Sequence, residues 1–272
     1  LFRSYGRYTA ACTWFEMITG QNVVGNPYAP ETIDPQVVKI AQNAAHYAVQ
    51  KPDEVTDLVD FKQPEISDTD LKAPIYIDFG PTSLSATPWN NITSHQESST
   101  TSWIKDVENN YTNIGVRVLD GFTATHAGVG SEPASPVTVD GVEFPLTAWK
   151  DGLLVKGEKN QGDVGPGRIE ISQLDVARKY NFTILAIRFN GSKDARISSY
   201  KLVGKTESAV KEVKTGIKDA ASFAAANFEE YIAKFENVEP DSEGKVIVEV
   251  KGLDTGSAAE GHINALCISL AK

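Results

Sequence analysis

The sequence predicts a mainly β protein: an antiparallel jelly-roll β-sandwich preceded by a two-helix N-terminal segment. Three observations carry this expectation. Apolar residues recur at helical spacing only in the first sixty positions; from Pro74 onward they alternate with a period of two or gather in short blocks; and turn residues punctuate those blocks throughout. A chain of 272 residues has room for one large or two modest domains.

The helical opening can be read residue by residue. Between Gly6 and Gly20 the apolar positions Ala11, Trp14, Phe15 and Ile18 fall at helical spacing, and Gly20 stands where a C-terminal cap is expected. A second helix opens with Asp34 as N-cap and Pro35 at its first position, and Ile33 and Val38 are spaced as a hydrophobic staple. Val37, Ala41, Ala44, Ala45 and Ala48 form its expected buried stripe, and Pro52 stops it. Two such helices cannot bury Trp14, Phe15 and Tyr47 against each other alone, so a partner surface or the downstream sheet has to cover them. Trp14 is expected in a core.

Residues 51–73 are acidic and proline-punctuated, with Val55, Leu58, Val59, Phe61 and Ile66 as the few groups available to dock. This organisation reads as a helical segment over 1–58, a linker over 59–73 and a sandwich over 74–272.

Within the sandwich, Ile75, Ile77 and Phe79 alternate with Tyr76 and Asp78, and Ile114, Val116 and Val118 alternate with Gly115 and Arg117. Ile169 and Ile171 do the same, while residues 182–189 are apolar on both faces apart from Arg188, as a central strand would be. Further strands are expected over 200–203, 209–217, 231–238, 246–250 and 263–270. Residues 220–230 fit a short helix from their alanines, or a loop or strand from their neighbours. About ten short strands without helical crossovers point to a sandwich and away from βαβ units.

A net charge of −10 argues against nucleic acid and anionic lipid as partners, since both demand clustered Lys and Arg. No apolar run approaches the roughly 20 residues of a membrane span, and Leu1-Phe2-Arg3 does not open as a signal peptide. Cys12 and Cys267 lie in apolar surroundings and read as buried small hydrophobes more readily than as a disulfide pair.

Two resemblances extend this reading. The run from Ser4 through Gly6-Arg7-Tyr8, Cys12, Trp14-Phe15-Glu16 to Thr19-Gly20, with Ala44-Ala45-His46-Tyr47-Ala48-Val49, resembles the C-terminal end of an SGNH-type (GDSL-like) hydrolase secreted by gut Bacteroidetes. The resemblance implies that the catalytic Asp-x-x-His block and the nucleophilic serine lie upstream of Leu1, leaving only helical scaffold here. The second resemblance is to galactose-binding-like or malectin-like sandwiches. It is carried by Ile75–Gly80, Trp89-Asn90-Asn91-Ile92-Thr93, Phe144–Asp151, Tyr180–Ala186 and Phe235–Asp241. Such domains are commonly appended to secreted carbohydrate-active enzymes, and many bind sugars. A secreted, periplasmic or cell-surface location follows from these resemblances, as does a catalytic domain of the same protein as partner.

Sugar binding needs a flat aromatic face beside a few fixed polar groups. Trp89 with Asn90 in a Pro-Trp-Asn-Asn loop is the first candidate, Trp149 with nearby Asp151 the second, and Trp103 the third. Each tryptophan can equally be a core plug or loop anchor. Arg188 either reaches a concave face or pairs with an acid such as Asp78 or Glu170, the ion pair being favoured. His126 has no serine or cysteine elbow beside it, which favours a structural role. No catalytic residue is assigned, no zinc-type spacing occurs, and no cofactor is expected. The turn carboxylates Asp175, Asp194, Asp241 and Glu243 leave a structural calcium open. The functional expectation is a non-catalytic glycan-binding module of an esterase-like protein, with a ligand-free interdomain sandwich as the alternative and an intact hydrolase as the least favoured reading.

Overall fold

A computed structural model describes residues 4–30, 33, 35–55, 58, 71–120, 122–156, 166–189, 196–253 and 260–272. Helix α1 (Ser4–Thr19) packs against helix α2 (Pro35–Gln50), and both ends agree with the sequence signals. Gly20 takes φ of +68° and donates its N–H to the Glu16 carbonyl, as a left-handed cap does. Asp34, the expected N-cap, lies outside the described residues. The hairpin core is small: Tyr8, Cys12, Val23, Ile33, Ala41 and Ala45 are buried, while Val37 and Ala44 are half-buried and Ala48 is exposed. Glu16 ties the unit together, accepting the Val23 N–H at 3.0 Å on one oxygen and meeting His46 Nδ1 at 2.6 Å with the other.

Trp14 corrects the sequence reading. It is 68 % exposed, and Met17 and Ile18 beside it are 69 % and 77 % exposed. The helical spacing is real, but α1 turns Tyr8 and Cys12 toward α2 and leaves the face of Trp14, Met17 and Ile18 open.

The β region begins with β1 (Ile75–Phe79), β2 (Trp89–Ile92), β3 (Thr100–Thr101), β4 (Gly115–Asp120), β5 (Ala124–His126), β6 (Val137–Val139) and β7 (Val142–Phe144). After helix α3 (Leu146–Lys150) come β8 (Gly152–Lys156), β9 (Gly167–Ser172), β10 (Tyr180–Leu185), β11 (Arg188–Phe189), β12 (Ile197–Val203), β13 (Lys211–Lys214) and β14 (Gly216–Ile217). Helix α4 (Ala220–Ala224) and a 3-10 turn (Phe228–Tyr231) lead to β15 (Ile232–Val238), β16 (Val246–Gly252), β17 (Glu260–Ile263) and β18 (Ala265–Leu270). The 220–230 segment therefore resolves as helix, with Asp219 accepting the Ser222 N–H as its cap.

Two sheets form the sandwich, one of five strands in the order β15-β10-β18-β1-β2 and one of six in the order β13-β12-β16-β9-β4-β3. Between them lies one core, with Ile75, Ile77, Val118, Ile169, Phe182, Val248 and Leu266 all fully buried. Pairing is antiparallel except for β1 with β2 and β11 with β14, which are parallel. These two pairs depart from the all-antiparallel expectation; β1 reaches a parallel neighbour because residues 80–88 carry the chain back to the start of the sheet.

The five-stranded sheet is buried on both faces. Tyr76, Ala265 and Cys267, pointing away from the main core, meet Val139, Phe144, Trp149, Phe223 and Tyr231 of the segments laid over that face. This second layer explains why β18 reads as apolar on both sides. Cys12 and Cys267 are both free and buried.

Two expected single strands break at one residue. Asn264 separates β17 from β18 and is fully buried, accepting the Ile187 N–H on Oδ1 at 2.7 Å. Its Nδ2 donates to the carbonyls of Trp149 at 3.0 Å and Asp151 at 2.6 Å. Its carbonyl takes the Phe79 N–H and its own N–H goes to Leu185, so the chain is bent here with its polar groups paired. The break between β10 and β11 lies against the same residue.

Candidate functional site

The loop at 80–85 is built on two buried carboxylates. Asp78 on β1 accepts the Ser85 N–H at 3.0 Å, and Asp151, just after α3, accepts the N–H groups of Thr82 at 2.7 Å and Ser83 at 3.1 Å. Asn91 on β2 clamps the same loop, accepting from Ser85 N–H and donating to Ser85 O. The Ser85 hydroxyl adds a bond to the Thr147 hydroxyl at 2.8 Å. Gly80 is required at the loop's start: its φ is +140°, and a Cβ there would stand 2.5 Å from Asp151 Oδ2.

Both carboxylates keep their second oxygen, Oδ1, buried without a hydrogen-bond partner. Burial pushes the Asp78 carboxyl up to about 7, with the Asp151 charge adding to it and the Ser85 bonds opposing. Asp151 is also raised by burial, against the pull of the Thr82 and Ser83 amides.

On the outer side of this loop runs a groove of about 750 Å³. Pro81, Leu84, Asn91, Thr93 and His95 line it from the sandwich, and Asn26, Ile33, Val38, Lys39 and Gln42 line it from the hairpin. Amides and hydroxyls dominate the polar part of the wall, and Leu84, 57 % exposed, supplies an apolar spot.

The residues singled out in the sequence are not gathered in this groove. Trp149 is fully buried, stacked on Phe223 and donating from Nε1 to the Ser135 carbonyl at 3.2 Å. A ring enclosed in this way has no free face for a sugar, which corrects its candidacy. Asn90 is likewise spent: Nδ2 donates to the carbonyls of Tyr76 and Lys105, and Oδ1 accepts the Lys105 N–H, so it ties β2 to the 105 segment. Asp151 acts as the loop anchor described above. Trp89 is half-buried between Tyr76, at 5.1 Å between ring centroids, and Phe144 at 5.7 Å. Trp103 is half-buried with φ of +53°.

Arg188 also departs from expectation. It bonds neither Asp78 nor Glu170; its Nη1 donates to His126 Nδ1 at 3.1 Å and to the Ala127 carbonyl at 2.9 Å. Arg196 and His262, which stand with these two, escaped sequence reasoning. His262 carried a readable signal, a polar ring inside the apolar 261–270 run; Arg196 carried none. Asp175 and Asp241 are turn caps, Asp241 Oδ1 accepting the N–H groups of Glu243 and Lys245, while Asp194 lies outside the described residues. Among the described residues no three His, Cys, Asp or Glu side chains are grouped to hold a metal ion. No helix among them is long and apolar enough to cross a membrane.

Residues 1–48 match a family described as a domain of unknown function, DUF4886, which covers the hairpin and none of the sandwich. No curated protein matches the chain. Among solved structures the chain is similar to the ANX2 ectodomain from Arabidopsis thaliana, at 8 % identity and a TM-score of 0.44 over 73 % of this chain and 49 % of that one. It is also similar to a chain in the complex of the plant peptide RALF23 with FER and LLG2, at 10 % identity and a TM-score of 0.41 over 72 % of this chain and 48 % of that one. The protein YxiM from Bacillus subtilis shows 12 % identity and a TM-score of 0.36 over 73 % of this chain and 40 % of that one. This chain thus spans about half the length of those structures or less. At such TM-scores they add nothing to the sandwich read from its own strand pairings.

Proposed function

We propose that this chain is a non-catalytic binding module of a secreted, esterase-like protein, and that its sandwich binds glycan. In this reading residues 1–58 are the C-terminal helical part of an SGNH-type hydrolase domain, 59–73 a linker, and 74–272 a galactose-binding-like jelly roll. The observation that carries it is the groove of about 750 Å³, where Thr93, Thr101, Thr125 and His95 offer polar groups to the hydroxyls of an oligosaccharide and Leu84 offers an apolar contact. Trp89 and Trp103, each half-buried and neither lining the groove, remain the rings that could stack on a sugar at a second place.

Two further features support the reading. The exposed Trp14, Met17 and Ile18 fit a helix that packs on the body of a hydrolase domain. The rings of His46, His126 and His95 are bonded to Glu16, Arg188 and Gln96, none of them the serine, threonine or cysteine that a histidine base would activate.

The ligand-free interdomain sandwich is the second reading, favoured by the enclosure of Trp149 and the full engagement of Asn90. A glycan array probed with the whole chain, beside Leu84→Ala, His95→Ala, Trp89→Ala and Trp103→Ala, separates the two. Binding that Leu84→Ala or His95→Ala weakens supports the groove; loss only in Trp89→Ala or Trp103→Ala moves the site to that ring; no binding to any glycan leaves the interdomain role.

A further inference from the structure

Thr125 and His126 point to opposite faces of β5, and where Thr125 lines the groove, His126 joins a cluster of buried basic side chains. Three main-chain segments lie side by side there. Arg188 donates its N–H to the Thr215 carbonyl at 2.6 Å, and Thr215 donates to the Arg196 carbonyl at 3.0 Å. His262 comes from β17, its ring edge-on to that of His126 with centroids 5.0 Å apart. Arg196, His126, His262 and Thr215 are all more than nine-tenths buried.

The donors outnumber the acceptors. Arg188 Nη1 is bonded to His126 Nδ1, and because a guanidinium only donates, that nitrogen accepts and the His126 proton sits on Nε2. Arg196 Nη2 meets Glu260 Oε2 at 3.1 Å, and the same oxygen is 3.7 Å from His262 Nε2. Arg188 Nε, Arg196 Nε and Nη1, His126 Nε2, both His262 ring nitrogens and Thr215 Oγ1 are buried without a partner, and the neutral His262 ring supplies one donor and one acceptor among them. Only Asp78 Oδ1 and Asp151 Oδ1 share that condition among the described residues. His126 Nε2 faces Gly152, which leaves the unpaired groups of Arg188, Arg196, His262 and Thr215 as the ones a ligand would have to satisfy.

Two carboxylates act on the cluster: Glu260, bonded to Arg196, also acts on Arg188, and Glu132 acts on Arg188 while its oxygens take the N–H groups of Val129 and Gly130, so neither is hydrogen-bonded to Arg188. Burial lowers the Arg188 pKa, and the neighbouring Arg196 charge lowers it further. Burial likewise keeps both histidine rings neutral, helped by the two arginines. Buried donors left unmade cost about 1–3 kcal/mol each, and charged ones more, so a concentration of them marks a place for an acceptor-rich group.

We propose that Arg188, Arg196, His262 and Thr215 form a binding site for an oxyanion group, a carboxylate, sulfate or phosphate. Such groups only accept hydrogen bonds and match the guanidinium fork. The site stands apart from the groove and does not depend on what the groove binds.

The test is a titration of the whole chain with sodium sulfate, phosphate, acetate and glucuronate against sodium chloride at equal ionic strength, following the arginine Nε–H resonances and Tm. The expected result is a saturable shift of the Arg188 and Arg196 resonances and a rise in Tm with at least one oxyanion, and none with chloride. Arg188→Gln should weaken the response about tenfold or more, and Arg188→Lys less. Response to glucuronate alone assigns a sugar carboxylate; response to acetate, sulfate or phosphate assigns a bare oxyanion. Equal response to chloride, no response to any anion, or saturation unchanged in both Arg188→Gln and Thr215→Val overturns the proposal.

Discussion

Trp149 stacks on Phe223 with ring centroids 5.0 Å apart and planes 28° from parallel, and this contact closes the outer layer over the five-stranded sheet. The same residue type in α1, Trp14, touches little and stands in solvent. Trp149→Ala should therefore cost about 3–5 kcal/mol, the range for emptying an aromatic site in a core. Trp14→Ala should cost under about 0.5 kcal/mol. Urea melts of the two variants check this, and acrylamide should quench the Trp14 emission and spare that of Trp149.

Asp78 sets a pH dependence. Its carboxyl titrates at about 7 in the fold, against an ordinary value of 3.8. The folded protein thus holds a proton that the unfolded chain releases, so this group lowers stability as pH rises from about 4 to about 7. Asp78→Asn should flatten that part of the profile while its amide oxygen still accepts from Ser85. Melting the two proteins at a series of pH values reads the difference; an unchanged slope would sink the assignment.

The buried histidines act in the opposite sense. His126 titrates at about 3 in the fold because burial and then the Arg188 charge oppose its protonation, whereas an unfolded histidine protonates near 6.5. Stability on its account is intact above 6.5 and drains away as pH falls toward 3. Its ring faces His262, Arg188 and, more distantly, Arg196, all of which oppose a further positive charge. His126→Gln should reduce the acid-side loss, measured as the change in Tm between pH 7 and pH 4.5.

Asn264 pairs three main-chain groups from two other segments through its side chain. Asn264→Ala would strand the Ile187 N–H and the Trp149 and Asp151 carbonyls in a dry interior, costing about 3 kcal/mol or more. Hydrogen exchange should show the Ile187 amide losing its protection first.

The proposed absence of chemistry is open to direct measurement. The chain alone should not hydrolyse p-nitrophenyl acetate above the rate of a heat-denatured sample. Turnover abolished by substituting one of its histidines would reinstate the hydrolase reading.

Much of the architecture was legible residue by residue. Gly20 and Pro52 end the helices near where their backbone chemistry requires, and the period-two runs at 75–79, 114–118 and 169–171 are strands with the expected faces inward. The candidate site was less legible. Trp89, Trp103 and Trp149 look alike in sequence because each has polar residues within two positions of it; which of them is enclosed depends on whether Phe144, Phe223 or neither arrives from elsewhere in the chain.

The sequence by itself determined the helical hairpin, the predominance of strands and the positions of most of them, because capping, proline geometry and side-chain alternation are local effects. Only the tertiary structure decided the strand order, the parallel pairing of β1 with β2, the exposure of Trp14 and the enclosure of Trp149. It alone brought His126, Arg188, Arg196 and His262 into one buried cluster. Burial and charge coupling depend on contacts between residues far apart in the chain, and such contacts leave no local pattern to read.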